Sequence, residues 1–303
     1  MFIFMPLFSI FVFLAGGYLA KSVKILKPKQ ARTFLDFAVI FALPCLIFDK
    51  IYHLNLDFSL IFIVFMGLFS SVFSSFVAVL LGKIFSFSKN TIVSMFLLSC
   101  FGNTIFIGVP IISELFKDPQ HSGEAIFYDA IATTIAISLF GAFILSFASD
   151  KKINFKDNLK KIATFPPFLA LVLGLVLKVF SLPEFIFEPL RLFGACATPL
   201  ALFAIGLSLA FSAIKSSYKA TIIVIFAKMI LTPLVFIILL KIFSLDLTAS
   251  SIVAIIESAT PTMTLAGAMI MKAKLDSNLA VSVIAFGILF SFISMPSLVF
   301  ILM

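Results

Sequence analysis

The chain has 303 residues, of which 62% are hydrophobic and 12% are charged. Soluble domains carry charge on about a quarter of their residues, so this composition excludes a soluble globular protein. It predicts an all-α polytopic membrane protein, with residues 1–303 as a single integral unit. The formal net charge of +8 requires no nucleic-acid partner, because the basic residues fall mainly in the loops between apolar segments.

Ten apolar segments are long enough to be considered as membrane helices. They cover residues 2–20, 33–48, 58–81, 91–116, 123–148, 166–180, 189–211, 220–243, 248–271 and 278–303. The first does not have the pattern of a cleavable signal, since no basic residue precedes it and a basic cluster follows it. The sequence therefore predicts ten transmembrane helices.

The distribution of lysine and arginine predicts the orientation of these helices. Sixteen such residues follow odd-numbered segments and five follow even-numbered ones, and basic residues accumulate on the cytoplasmic side. Both termini are therefore predicted on the outer, periplasmic side. Each half has five segments, so residues 1–149 and 165–303 are predicted to form inverted repeats joined by a basic cytoplasmic loop, residues 150–164.

Two apolar segments contain residues that interrupt a membrane helix. The fourth carries Gly102, Asn103, Thr104, Gly108 and Pro110, and the ninth carries Thr260, Pro261 and Thr262. Proline removes a backbone donor and clashes with the preceding turn, so polar backbone groups are freed where lipid cannot satisfy them. A kink absorbed by neighbouring helices would explain one such site. Paired interruptions in two halves point instead to a transporter binding site near the bilayer midplane.

The prolines support the internal repeat. Pro44 and Pro110 are separated by nearly the same number of residues as Pro199 and Pro261. Two pairs in register favour an inverted-topology architecture in which the broken fourth and ninth helices cross.

Polar side chains at the interruptions are candidates for anion binding. The Asn103 amide offers a donor and an acceptor, which suits a carboxylate or a bridge to the opposite break. Capping of its own broken helix is the alternative. The hydroxyls of Thr104, Thr260 and Thr262 either line the site or bond the backbone of their own helices.

Three ionisable residues lie well inside apolar segments and are functional candidates by default, namely Asp129, Lys228 and Glu257. Lys228 and Glu257 fall at similar depth, so they form either a structural ion pair or a coupling site in which the carboxylate takes a proton or cation. Asp129 lies nearer the outer end of its segment. It is either an ion entry site or a solvated residue in an outer vestibule.

Enzymatic classes find no support in these residues. Tyr128-Asp129 has no Gly-x-Gly-Asp partner for an aspartyl protease, and neither His53 nor His121 is embedded as a base for a rhomboid-type serine enzyme. The sequence also lacks a Gly-x-x-x-x-Gly-Lys nucleotide loop. A channel or membrane sensor of organic anions remains as an alternative to a carrier.

The stretch from Gly102 to Pro110, together with Pro44, residues 199–206 and Pro261, resembles the auxin efflux carrier family, and the resemblance covers essentially the whole chain. It implies a scaffold of helices one, two, six and seven, and a mobile unit of three to five and eight to ten. In that family the fourth and ninth helices cross at their prolines around an anion, which assigns Asn103, Thr104, Gly108, Pro110, Thr260, Pro261, Thr262 and Pro44 to substrate binding.

The short loop between the halves resembles that of the family's bacterial malonate and malate permeases. The expected function is therefore secondary transport of a small dicarboxylate by an elevator-like alternating-access mechanism in the bacterial cytoplasmic membrane. Symport with a proton or sodium ion, potential-driven export of an auxin-like carboxylate, and a homodimer are left open. No cofactor is expected, and the partners are the lipid bilayer and the anion.

Overall fold

The computed structural model describes residues 4–148, 159–160, 162–209 and 214–303. Within these ranges the chain is helical, and the only strand-like contact is an isolated antiparallel bridge between Gly102 and Thr262. Most of the predicted cytoplasmic loop, residues 150–164, lies outside the described residues.

The α-helices are numbered in chain order. They are α1 (Phe4–Ser22), α2 (Ala31–Phe37), α3 (Leu43–His53), α4 (Phe58–Ile84), α5 (Lys89–Cys100), α6 (Val109–Leu115), α7 (Pro119–Tyr128), α8 (Ala136–Ser146), α9 (Pro166–Leu177), α10 (Phe187–Ala195), α11 (Ala197–Ser208), α12 (Ile214–Phe226), α13 (Thr232–Ile242), α14 (Ala249–Ser258), α15 (Thr264–Lys272) and α16 (Ser277–Leu302). Short π-helical segments cover Ala38–Ala42, Thr104–Gly108, Asp129–Ile135 and Ala227–Leu231.

Six helical stretches in the described part of the chain are long and apolar enough to cross a membrane. They are Met5–Ser22, Phe58–Ile84, Pro119–Ser146, Glu184–Ser208, Ser217–Ile242 and Ser277–Leu302. The prediction of an all-helical multi-pass membrane protein is confirmed at this level. The fourth and ninth predicted segments do not appear as single spans, because each is interrupted and its halves are too short.

Helix α4 shows why the outer surface suits lipid. Its exposed side chains include five phenylalanines, Phe62, Phe65, Phe69, Phe73 and Phe76, whereas four serines, Ser70, Ser71, Ser74 and Ser75, are buried. A helix in water shows the reverse distribution. Asp57 caps the helix, and its carboxylate accepts hydrogen bonds from the Leu60 N–H and the Ser59 hydroxyl. These two bonds hold the pKa of the Asp57 carboxyl below its usual value.

Three of the π-helical segments end two residues before a proline, at Pro44, Pro110 and Pro233. Proline has no N–H and its ring clashes with the carbonyl four residues earlier. A wider turn removes that clash, so the helix continues through the proline. Pro110 is therefore not the point at which the fourth segment breaks.

The chain packs as two compact units. The first contains Met1–Leu56, Ile105–Ala130 and Leu159–Leu209. In it α1 packs along α11, and Gly206 permits the close approach, because a Cβ there would overlap the Leu14 carbonyl. Helix α3 packs against α7, α9 and α10.

The second unit contains Asp57–Thr104, Ile131–Asn158 and Ala210–Met303. Its apolar core is built by α5, α8, α12, α15 and α16, with Leu98, Ile137, Val224, Ile270 and Val283 among the fully buried side chains. The division differs from that implied by the family resemblance at residues 105–130, which group with the first unit.

Candidate functional site

Two interruptions of the helical backbone meet inside the second unit. Helix α5 ends at Cys100 and helix α14 ends at Ser258. The non-helical residues that follow run antiparallel, and we call Phe101–Asn103 and Pro261–Met263 the crossover. The Asn103 N–H donates to the Pro261 carbonyl at 2.6 Å, and the Met263 N–H donates to the Phe101 carbonyl at 2.9 Å. The predicted interruptions are therefore present. Backbone groups that lose their helical partners at one interruption bond to backbone groups at the other.

Two threonine hydroxyls of the ninth segment bond to the backbone. Thr260 donates to the Glu257 carbonyl of its own helix at 2.8 Å, and Thr262 donates to the Leu98 carbonyl of α5 at 2.8 Å. Both hydroxyl protons are thus engaged in holding helix ends. For these two residues the structural interpretation accounts for the side chain.

Asn103 differs from the threonines. Its side chain is 2% exposed, and its Nδ2 has no hydrogen-bond partner among the described residues. A buried amide donor is costly to leave unsatisfied, so this group requires an explanation beyond the stability of the fold. Asn103 therefore presents an amide donor at the crossover that its own fold does not use.

Lys228 brings a positive charge to the crossover. It lies in the π-helical segment Ala227–Leu231, is 1% exposed, and donates from Nζ to the Ser258 carbonyl at 2.6 Å. Glu257, fully buried in α14, is close enough to interact with it electrostatically. The structure thus brings together the two charges that the sequence placed at similar depth, and the lysine ammonium donates to the backbone carbonyl at the end of α14.

Gly102 makes this arrangement sterically feasible. A Cβ at this position would overlap Thr260 Oγ1 and would lie 3.0 Å from Lys228 Cε and 3.1 Å from Lys228 Nζ. Only the absence of a side chain lets the first break approach the lysine so closely.

The predicted site residues divide between the two units. The second unit holds seven of them, Asn103, Thr104, Thr260, Pro261, Thr262, Lys228 and Glu257, and the first holds the remaining four, Pro44, Gly108, Pro110 and Asp129. The crossing is made by Phe101–Asn103 and not by Pro110, which corrects the expectation that both helices cross at their prolines.

Asp129 begins the π-helical segment Asp129–Ile135 and is 2% exposed. Its burial contradicts the alternative of a solvated vestibule residue.

Two buried carboxylates in the first unit were not predicted from the sequence as buried or functional residues. Asp49 is 3% exposed and accepts from Arg191 Nε at 3.1 Å, and Glu124 is 4% exposed with His121 Nδ1 at 2.9 Å from its Oε2. Both lie at the edges of their apolar segments, where a charge is usually solvated. The spacing of His121 and Glu124 on one helix face was the available signal for the second pair.

Comparison with known proteins gives a consistent assignment. A family model described as membrane transport protein matches residues 2–299. An uncharacterized transporter of Methanocaldococcus jannaschii is 29% identical over 231 residues, which is 72% of each chain. A second uncharacterized transporter, from Methanothermobacter thermautotrophicus, is 24% identical over 296 residues, covering 95% of this chain and 94% of the relative. The chain therefore belongs to this family of membrane transport proteins, the auxin efflux carrier family.

Proposed function

We propose that this protein is a secondary carrier for a small organic anion, with a dicarboxylate such as malonate or malate as the first candidate. The observation that carries the proposal is the buried Nδ2 of Asn103, an amide donor without a partner among the described residues, beside the crossing of two interrupted helices. A carboxylate oxygen is a suitable acceptor for that donor, and hydrogen bonds to charged groups are stronger than neutral ones.

The electrostatics of the crossover support an anionic substrate. Helix α15 begins next to the crossover, and its N-cap, Met263, makes no side-chain capping bond. The N-terminal end of a helix carries about half a positive charge and attracts anions. The Lys228 ammonium adds a full positive charge close to Gly102. These features favour a carboxylate, with Glu257 as the partial counter-charge within the protein.

The transport mechanism that we propose is alternating access with an elevator-like movement. It rests on the family resemblance, on the predicted inverted repeats and on the separation of the chain into two compact units. In this scheme the crossover carries the anion and both termini face the outer side of the cytoplasmic membrane. No cofactor takes part in this scheme.

Counterflow in proteoliposomes tests the proposal. Vesicles loaded with unlabelled malonate or malate should take up labelled substrate, and this uptake should be transient and should saturate with substrate concentration. A channel would not show saturable counterflow. The Asn103→Ala carrier should lose counterflow, while Asn90→Ala, an exposed asparagine on α5, should retain it. Absence of saturable counterflow with every carboxylate in a panel would reject a carrier of organic anions.

A thermal shift assay narrows the substrate independently of transport. A ligand that binds the folded carrier raises its apparent stability by RT ln(1 + [L]/Kd). Purified wild-type protein should be stabilised by its own carboxylate and not by a neutral analogue such as the corresponding diamide. An auxin-like aromatic carboxylate belongs in the same panel, because it is the alternative substrate class.

A further inference from the structure

Carbonyl groups in the last turn of α14 accept hydrogen bonds from side chains. The Ile255 carbonyl accepts from the Ser258 hydroxyl and from the Ala259 N–H, and the Glu257 carbonyl accepts from the Thr260 hydroxyl. The Ser258 carbonyl, the last of the helix, accepts from Lys228 Nζ. Because the C-terminal end of a helix carries partial negative charge, this end is suited to a cation.

The oxygen groups around Lys228 Nζ are those that a small hard cation would also use. The Ser258 carbonyl lies 2.6 Å from Nζ, and the Glu257 carboxylate interacts with it electrostatically. Carbonyl and carboxylate oxygens are the usual ligands of such cations in proteins. In transporters with interrupted helices, unwound carbonyls and helix C-terminal ends bind the coupling sodium ion or proton.

The lysine and a metal cation cannot share this place. Nζ comes so close to the first break that a Cβ on Gly102 would lie 3.1 Å from it. The ammonium is 1% exposed, so water does little to screen its repulsion of a second cation. Lys228 lies in the π-helical segment Ala227–Leu231, and π-bulges of this kind are frequent at functional sites.

We propose that the Lys228 ammonium is a tethered cation that permanently occupies the cation position at the end of α14. Transport through the crossover therefore needs no sodium ion. The absence of a sodium requirement in transport rests on the proposed function. The occupation of the cation position by Lys228 can be tested by binding measurements without any substrate. The proposal also predicts that removal of the lysine side chain creates a site for a small cation from solution.

The first test uses the wild-type carrier. Its melting temperature should be the same in sodium, potassium and choline chloride at equal ionic strength, and counterflow should proceed equally in the three salts. A saturable stabilisation by sodium over choline, or counterflow that requires sodium, would overturn the tethered-cation proposal while leaving a carrier function intact. Failure of counterflow in all three salts would instead count against the proposed function.

The second test uses Lys228→Ala. This truncation removes a fragment equivalent to n-propylammonium, so n-propylammonium chloride should raise the melting temperature of the variant by several degrees, saturably, and tetramethylammonium chloride should not. Wild type and Lys241→Ala, an exposed lysine at the end of the same predicted segment, should not respond to n-propylammonium. A folded Lys228→Ala protein that is indifferent to n-propylammonium and to sodium would contradict the proposal. If this variant does not fold, the wild-type salt comparison decides alone.

Discussion

Asn103 and Pro261 are joined by a backbone hydrogen bond of 2.6 Å, in which the Asn103 N–H donates to the Pro261 carbonyl. The bond links the first interruption of the chain to the second. Because the backbone of Asn103 supplies this link, its side-chain amide is not needed for it, and Nδ2 has no partner among the described residues. Asn103 thus links the two interruptions through its backbone, and its buried Nδ2 is not engaged in a hydrogen bond with the described residues.

Asn103→Ala should weaken binding of the substrate anion by about 10- to 100-fold, since a hydrogen bond to a charged group contributes roughly 1.5–3 kcal/mol. The backbone bond to Pro261 is kept, so the variant should express and melt like wild type. Titration calorimetry or thermal shift with the stabilising carboxylate measures the change, with Asn90→Ala as the control. Wild-type affinity in Asn103→Ala would place the substrate elsewhere.

Gly102→Ala should destabilise the protein by about 1–3 kcal/mol, the usual cost of forcing a methyl group into a packed site. The new Cβ would overlap Thr260 Oγ1 and crowd Lys228. Combining it with Thr260→Ala should recover part of the loss, because the overlapping oxygen is then gone. Gly16→Ala is the matched control, since a Cβ at Gly16 would have its nearest contact at an ordinary 3.8 Å. Equal melting temperatures for the Gly102 and Gly16 variants would show that the crossover accommodates the added methyl group without strain.

Lys228→Met and Glu257→Gln should each lower the melting temperature. Removing one member of a buried charge pair typically costs about 3–5 kcal/mol, because it strands the other charge. The double variant should lose much less than the two single losses together. Melting curves of the four proteins give the coupling free energy, and strictly additive losses would mean that the two charges do not interact.

The same four proteins also test the alternative role of Glu257 as a coupling carboxylate. In that case Glu257→Gln would fold stably and bind substrate, but transport would lose its dependence on a proton or cation gradient. Transport measured with and without an imposed gradient distinguishes the two roles. A stable, active Glu257→Gln carrier with unchanged ion dependence would contradict both.

The predicted orientation can be tested by labelling with impermeant thiol reagents in intact cells. In a background lacking Cys45, Cys100 and Cys196, Lys24→Cys and Lys156→Cys should be shielded, because the distribution of basic residues places both positions in the cytoplasm. Asp118→Cys should be labelled from outside. Labelling of the Lys156 position, which lies outside the described residues, would refute the inverted repeats.

Composition and local chemistry alone determined the class of this protein and the positions of its irregularities. An excess of apolar residues predicts membrane helices whatever their arrangement, because a protein core cannot bury so many apolar side chains and lipid must cover the rest. Gly102, Asn103 and Pro261 likewise mark interruptions through their own backbone preferences, which act within a turn or two. The interruptions at Gly102–Asn103 and at Pro261 are present in the structure, after α5 and α14 end.

The tertiary structure decided which groups satisfy one another. Thr262 bonds the carbonyl of Leu98 across 164 residues, and Lys228 bonds that of Ser258 across 30. The sequence placed Lys228 and Glu257 at similar depth, but it gave no reason for the ammonium to bind a helix end. The proline at position 110 suggested a break that a π-helical turn absorbs instead. Such outcomes depend on the packing of distant segments, and a local pattern records only the preferences of nearby residues.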